Sequence, residues 1–199
     1  MTYITEEIEK NKDVNIKVLR YSDVELNEID LTIFNVLELD NFQSFKSKKR
    51  QLEYYFARVL WLSFNQTEFI KYKPSGKPFL NLGFISISHS NEQVAIAFSK
   101  IKEVGMDIEY QSPKVQKIKS KYLHAKENYS SIKDLTKIWT IKEAIYKLYD
   151  SKLLFFKQHI IISHVIPSIE LKVTLDGKSV DPKVKTLELK CNFILSFAQ

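Results

Sequence analysis

The spacing of apolar residues predicts an α+β chain with two long amphipathic helices. Apolar side chains recur at intervals of three, four and seven residues from 42 to 64 and from 133 to 149, as expected for helices with one buried face. Short apolar runs bounded by polar residues predict strands. The predicted strands span 15–20, 84–90, 92–99, 104–110, 158–165, 168–175 and 186–197, and shorter helices are predicted at 31–39 and 115–122.

The order of these elements indicates two similar halves. A strand, a helix and further strands follow one another twice, with a junction near residues 100–104. We therefore expect an N-terminal half of residues 1–103 and a C-terminal half of residues 104–199, packed as a single compact unit. Residues 1–15 are charged and weakly patterned, and we expect a mobile segment or an edge strand there.

Length and composition are those of a folded protein without a membrane span. The chain has 199 residues, of which 44% are hydrophobic, so a disordered chain is not expected. No run approaches 18 apolar residues. The first residues are acidic and lack the basic-then-apolar order of a signal peptide. Cys191 is the single cysteine, which excludes an internal disulfide and a thiolate metal cluster. We expect a cytoplasmic protein.

The formal net charge of +6 is compatible with an anionic substrate or an acidic partner. Lysine carries nearly all of the positive charge, so the alternative is a bias in overall composition. Nucleic acid is a weaker hypothesis, because the chain has no arginine-rich run, zinc-finger spacing or aromatic RNA-binding motif.

A basic cluster lies near the start of the first predicted helix, at Lys46, Lys48, Lys49 and Arg50. Cations at a helix N-terminus oppose the helix dipole, which suggests that they face an anion. The alternative is a solvated basic face.

A turn and a strand end offer further candidates for anion binding. The segment 71–78 contains Pro74, Gly76, Lys77 and Pro78, which make either a surface turn or a stiff loop that presents Lys77 to a phosphate. His89 ends a predicted strand between two serines, and it has either a structural role or a role in holding phosphate oxygens.

Two carboxylates are predicted on one face of the strand 104–110. Residues two apart on a strand point the same way, so Asp107 and Glu109 share one face and Met106 and Ile108 share the other. Adjacent carboxylates need a cation, a proton or water, and Mg²⁺ is a natural partner for them. The alternative is an acidic edge that faces solvent.

A second pair of charged residues lies on the helix predicted at 133–149. Its apolar stripe consists of Leu135, Ile138, Ile141, Ile145 and Leu148. Glu143 and Lys147 are four residues apart on another face, a spacing that is equally typical of an ordinary surface ion pair.

Four motifs in order resemble the 4′-phosphopantetheinyl transferase superfamily. They are Gly76-Lys77-Pro78, Ser88-His89, Gly105-Met106-Asp107-Ile108-Glu109, and the run from Trp139 to Lys147 that contains Lys142-Glu143-Ala144. The match covers roughly residues 42 to 150. The length resembles the longer, surfactin-synthetase-activating type, which is monomeric. That resemblance implies a pseudo-two-fold pair of α+β halves with coenzyme A and the active site at their junction.

The resemblance implies an enzyme that moves 4′-phosphopantetheine from coenzyme A to a serine of an apo acyl or peptidyl carrier protein. Asp107, Glu109 and Glu143 would hold Mg²⁺, with Mn²⁺ as an alternative, and Glu143 would also accept the serine proton. The implied coenzyme A contacts come from Arg50, Lys77, Pro78, Ser88, His89, Lys142 and Lys147, of which His89 and Lys147 also belong to the catalytic set. Lys46 or Lys49 is an alternative to Arg50 at the 3′-phosphate.

The sequence departs from the family pattern in two segments, 123–127 and 149–154, which concern the carrier-protein surface and loop geometry. Two other functions remain as alternatives: a catalytically silent protein that binds coenzyme A or a carrier protein, and an unrelated Mg²⁺-dependent nucleotide phosphotransferase. The second lacks a glycine-rich phosphate loop. The carrier protein and its pathway are not specified by the sequence.

Overall fold

The structure is a computed structural model that describes residues 2–66, 68–165 and 168–199. It is a mixed α+β fold with several antiparallel sheets. The helices are α1 (Val36–Ser44), α2 (Lys48–Leu62), α3 (Lys114–Lys117), α4 (Lys119–Tyr122), α5 (Ile132–Tyr149) and α6 (Phe156–His159). The strands are β1 (Thr2–Lys10), β2 (Asn15–Ser22), β3 (Lys71–Tyr72), β4 (Pro78–Phe79), β5 (Phe84–Ser90), β6 (Gln93–Ser99), β7 (Gly105–Tyr110), β8 (Ile160–His164), β9 (Glu170–Leu175), β10 (Lys178–Val180), β11 (Val184–Leu189) and β12 (Phe193–Ala198).

Within the described residues, these strands form four antiparallel sheets. The largest has the order β1-β2-β6-β5. Its exposed edge strand is β1, so of the two structures expected for residues 1–15, a mobile segment or an edge strand, the second is found. The others have the orders β11-β12-β7, β10-β9-β8 and β3-β4. In the described part of the chain, no helix is both long enough and apolar enough to cross a membrane.

Each long helix covers one sheet. The apolar face of α2 packs on the β1-β2-β6-β5 sheet through Leu52, Phe56 and Leu60, which are buried against Leu19 and Ile96. The predicted stripe of α5 is confirmed, since Leu135, Ile138, Ile141 and Ile145 are fully buried and Leu148 is 7% exposed.

A third apolar cluster joins the β1-β2-β6-β5 sheet to the β11-β12-β7 sheet and sets the orientation of β7. Met106 and Ile108 are fully buried in this cluster together with Ile16 and Ala95 from the first sheet. Because side chains alternate along a strand, Asp107 points to the opposite face, on the side of α5. The predicted division of β7 into an apolar face and an acidic face is confirmed.

Close contact between β7 and α5 requires a residue without a side chain at one position. A Cβ atom added to Gly105 would lie 2.0 Å from the carbonyl oxygen of Ala144 and 2.4 Å from the amide nitrogen of Leu148. Gly105 therefore allows the backbone of β7 to lie directly against the helix that carries Glu143 and Lys147.

Several predicted elements are divided in the structure, among them the helix predicted at 115–122, which forms α3 and α4. The helix predicted at 42–64 begins at Lys48, because Ser47 accepts a hydrogen bond from the amide of Arg50 as an N-cap, and residues 42–44 belong to α1. The strand predicted at 186–197 is two strands, β11 and β12. Cys191 and Asn192 have positive φ angles of 58° and 63°, and this left-handed turn reverses the chain between them.

Candidate active site

Strands β5 and β7 lie side by side and are joined by serine side chains. Ser88 Oγ donates to Asp107 Oδ1 over 2.7 Å, and Ser90 Oγ donates to Glu109 Oε2 over 2.8 Å. Ser90 Oγ also accepts from the backbone amide of Tyr110 at 3.1 Å. The serines of the Ser-His-Ser strand end therefore orient the two β7 carboxylates.

Asp107 is the most enclosed of the predicted site residues on β7, with 5% of its surface exposed. Its Oδ1 accepts from Lys147 Nζ over 2.7 Å, and the same ammonium donates to the carbonyl oxygen of Met106 over 3.0 Å. Its Oδ2 is buried, and none of the residues that the structure describes forms a hydrogen bond to it. A buried unpaired carboxylate oxygen is unfavourable, and in a native protein it needs an explanation such as a bound ion or ordered water.

Glu143 lies beside this pair with a strongly perturbed carboxyl group. Burial raises the pKa of Glu143 to about 7, with the negative charges of Asp107 and Glu109 adding to the effect and Lys147 opposing it. The pKa of Glu109 is also raised, by burial and then by Asp107. The three predicted metal ligands are therefore close enough to repel one another.

The two ordinary explanations for these charged residues are both wrong. A solvent-facing acidic edge does not fit Asp107, which is buried. An i,i+4 surface pair does not fit Lys147 either, because its ammonium pairs with Asp107 on β7 rather than with Glu143 on its own helix.

The chemistry of these carboxylates fits a hard divalent cation. They supply oxygen donors, one of them an unpartnered buried oxygen, and a cation would relieve their repulsion. Within residues 2–66, 68–165 and 168–199, however, no group of three histidine, cysteine or acidic side chains is gathered closely enough to hold a metal ion. Asp107, Glu109 and Glu143 thus have the required chemistry without a preformed coordination geometry.

The predicted anion-binding residues Arg50 and His89 lie next to each other. Arg50 Nη1 is 2.6 Å from His89 Nε2. Both side chains contact Glu53, which is one turn along α2 from Arg50: Arg50 Nη1 lies 3.3 Å from Glu53 Oε2, and His89 Nδ1 lies 3.3 Å from Glu53 Oε1. Sequence analysis did not select Glu53, although its spacing from Arg50 is that of a helical ion pair.

The Gly-Lys-Pro turn borders a cavity of about 470 Å³. Lys77, Pro78 and Lys147 are among the residues that line it. Lys77 Nζ donates to the carbonyl oxygen of Leu148 over 3.2 Å and lies 3.4 Å from a carboxylate oxygen of Glu103. The turn is thus attached to the C-terminal end of α5, and its lysine is anchored at the wall of the cavity.

Lys142 does not join this group. Its side chain is fully buried, and its Nζ donates to Glu127 Oε2 and to the carbonyl oxygens of Tyr122 and Phe156 at 2.7, 2.7 and 3.3 Å. Burial lowers the pKa of Lys142, and Glu127 opposes that shift. All three ammonium protons are used inside the protein, so the structure gives Lys142 a structural role in place of the expected coenzyme A contact.

Glu127 completes this buried network. Its Oε1 accepts from the backbone amide of Ile162 and its Oε2 from that of His124, over 2.7 and 2.6 Å. The Lys142–Glu127 pair therefore connects α5, the segment before it and β8.

Comparison with known proteins finds a similarity in the C-terminal part of the chain. A search of curated proteins finds no match. Residues 103–194 match the sequence model of the 4′-phosphopantetheinyl transferase superfamily. This range contains Asp107, Glu109, Glu143 and Lys147, whereas Arg50, Lys77 and His89 lie before it. The similarity to this superfamily thus covers residues 103–194, slightly less than half of the chain.

Proposed function

We propose that this protein transfers 4′-phosphopantetheine from coenzyme A to a serine of an apo acyl or peptidyl carrier protein, with Mg²⁺ or Mn²⁺ as cofactor. The superfamily match supports a transferase. The observation that carries the proposal further is the ion pair between buried Asp107 and Lys147, which lines the cavity. Glu109 lies nearby, as does a Glu143 whose pKa is raised to about 7.

The proposed reaction is a phosphoryl transfer in which the serine oxygen forms a bond to the phosphorus that carries the pantetheine. The bond from that phosphorus to the bridging oxygen breaks, and adenosine 3′,5′-bisphosphate leaves with the electron pair. A bound divalent ion would neutralise charge on the pyrophosphate, with Asp107, Glu109 and Glu143 as its protein ligands. Lys147, whose ammonium pairs with Asp107, would contact the pyrophosphate.

Glu143 has the second role of accepting the serine proton. A carboxylate with a pKa near 7 is a better base than an ordinary glutamate, because a general base works best when its pKa is near the operating pH. Metal binding would lower this pKa, so positioning of the carboxylate, directly or through water, then contributes more than its basicity.

The remaining predicted contacts are placed at the coenzyme A phosphates. His89 binds phosphate oxygens, and Arg50 binds next to it, with Nη1 2.6 Å from His89 Nε2. Ser88 would turn its hydroxyl from Asp107 to a phosphate oxygen when coenzyme A binds. Lys77 and Pro78 form the wall at the adenine and 3′-phosphate end of the cavity.

The two-half, monomeric subtype is part of the proposal. In its favour, each proposed half has one long helix packed on an antiparallel sheet, α2 in the first and α5 in the second. The net charge of +6 suits an acidic carrier protein. A cytoplasmic location stays a prediction.

The proposal is tested by chromatographic measurement of adenosine 3′,5′-bisphosphate in a mixture of this protein, coenzyme A, Mg²⁺ and an apo acyl carrier protein. We expect release that depends on the carrier and stops when the acceptor serine of the carrier is replaced by alanine. Release that continues without the acceptor serine would indicate hydrolysis of coenzyme A instead of transfer.

The competing functions make different predictions in two simple assays. A silent binding protein would be stabilised by coenzyme A yet release no product. A nucleotide phosphotransferase would be stabilised more by ATP than by coenzyme A, because at equal concentration the ligand that binds the native state more tightly raises the melting temperature more.

A further inference from the structure

Glu53 is a nearly buried carboxylate that contacts two of the proposed phosphate-binding side chains. Its side chain is 8% exposed, whereas those of Arg50 and His89 are 49% and 36% exposed. The residues after it on α2, Tyr54 and Tyr55, are buried apolar positions of the core. A charged residue here has to be compensated, and the basic side chains around it do so.

The contacts form a closed triangle. Glu53 Oε2 lies 3.3 Å from Arg50 Nη1, Glu53 Oε1 lies 3.3 Å from His89 Nδ1, and Arg50 Nη1 lies 2.6 Å from His89 Nε2. Lys49 is at the margin, with Nζ 3.8 Å from Glu53 Oε1. One carboxylate thus contacts both the helix residue and the strand residue, which are 39 positions apart in sequence.

These contacts determine the state of the imidazole in the free protein. A guanidinium can only donate hydrogen bonds, so His89 Nε2 accepts from Arg50 and the ring proton is on Nδ1, facing Glu53. For Nε2 to donate to a phosphate oxygen while Nδ1–H stays directed at Glu53, the ring must take up a second proton. The carboxylate of Glu53 at Nδ1 stabilises that doubly protonated ring.

The charges around His89 come from two elements besides its own strand. Burial lowers the pKa of His89, Arg50 on α2 and Lys147 on α5 lower it further, and Glu53 opposes them. Ser88, which precedes His89 on β5, donates to Asp107, so the triangle lies near the Asp107–Lys147 pair. A bound phosphate would add a second negative charge next to the imidazole.

We propose that Glu53 is a positioning residue that holds Arg50 and His89 together so that both donate to one phosphate group of coenzyme A. This inference rests on the proposed function, since it names how that substrate is held. When the phosphate binds, Arg50 turns its donors from His89 Nε2 to the phosphate. His89 takes up a proton from solvent at Nε2 and donates to the same phosphate, while Nδ1–H remains directed at Glu53.

The test is the dissociation constant for coenzyme A, measured by titration calorimetry on the full chain with Glu53→Gln. This variant keeps the size of the side chain and removes its charge. We expect about tenfold weaker binding, because two charge-assisted contacts lose their common partner. In steady-state assays the KM for coenzyme A should rise while kcat at saturation stays within about twofold, since Glu53 does not touch the reacting atoms. Glu53→Asp should recover part of the affinity.

The matched control is Glu25→Gln. Glu25 pairs with Lys48 of the same basic cluster at 2.7 Å. Its replacement by glutamine changes the net charge by the same amount as Glu53→Gln, and among the described residues Glu25 is not paired with Arg50 or His89. Loss of a negative charge near an anion site should leave coenzyme A binding unchanged or slightly tighter. Equal effects of the two variants would refute a specific role for Glu53.

A double-mutant cycle separates positioning from mere support of the fold. In an Arg50→Met/His89→Ala background, Glu53→Gln should change the dissociation constant by less than about twofold, because its targets are absent. A full tenfold effect in that background would overturn the inference in favour of a structural role.

Proton uptake gives an independent readout. Calorimetry in buffers of different ionisation enthalpy should show proton uptake by the wild type on binding coenzyme A, and markedly less uptake by Glu53→Gln. If the wild type binds and turns over coenzyme A, and Glu53→Gln has the same dissociation constant and the same proton uptake, the inference is rejected and the proposed function stands. A wild type that does not bind coenzyme A would reject the proposed function, and the inference with it.

Discussion

Glu143→Gln should stabilise the metal-free protein at neutral pH while abolishing its activity. In the folded protein the pKa of Glu143 is raised from 4.5 to about 7, chiefly by burial. The folded state therefore holds a proton between pH 4.5 and 7 that the unfolded chain has lost, and stability falls as pH rises through this window. Glutamine carries no charge and escapes this cost.

The magnitude follows from the size of the shift. A shift from 4.5 to about 7 corresponds to about 3 kcal/mol at pH 8, where the carboxylate is ionised in both states, and to about 1 kcal/mol at pH 5. The advantage of Glu143→Gln over wild type should therefore grow by about 2 kcal/mol from pH 5 to pH 8. Titrating groups that do not interact with Glu143 cancel in this difference because both proteins contain them.

The assay is urea unfolding in the presence of a chelator, at pH 5, 6, 7 and 8, for wild type and variant. Glu6→Gln serves as a matched control, because Glu6 is exposed on the edge strand β1 and should show no pH-dependent gain. A Glu143→Gln protein that is less stable than wild type at pH 8, or whose advantage does not depend on pH, would refute the reasoning.

Three further variants test other parts of the structure. Asp107→Ala should remove turnover in the product-release assay without changing the circular dichroism spectrum, and near-wild-type activity would refute its assignment to the metal site. Lys142→Met should lose about 3–5 kcal/mol in urea unfolding because it leaves Glu127 charged and buried, and a loss below about 1 kcal/mol would contradict the buried pair. Gly105→Ala should lower the melting temperature by several degrees, because the added Cβ would lie 2.0 Å from the carbonyl oxygen of Ala144. An unchanged melting temperature would show that α5 can shift away from β7 without loss of stability.

Periodicity was sufficient for the parts of the fold that have one buried face. The stripe of α5 and the two faces of β7 follow from spacings of 3.6 and two residues, and the structure buries Ile138 and Met106 as those spacings require. The same argument places Lys142 on the apolar stripe, four residues after Ile138 and three before Ile145. The family resemblance implies a coenzyme A contact for Lys142, which stands next to Glu143 in the motif. Helix geometry instead indicates that its side chain is buried, as the structure has it.

Contacts between distant segments were beyond the reach of sequence patterns. Nothing local indicates that His89 meets Glu53, because that pairing depends on how α2 packs against β5. The partner of Lys142, Glu127, lies in an irregular segment whose path is set by its hydrogen bonds to β8. The reversal at Cys191 was missed because cysteine is not a typical residue for positive φ.

The central claim is tested most directly by the intact mass of an apo acyl carrier protein after incubation with this protein, coenzyme A and Mg²⁺. We predict a gain of one phosphopantetheinyl group on the carrier, absent when a chelator is added and absent with Asp107→Ala. An unchanged mass for several apo carrier proteins, under conditions where this protein binds coenzyme A, would contradict the proposed transferase and favour a silent binding protein.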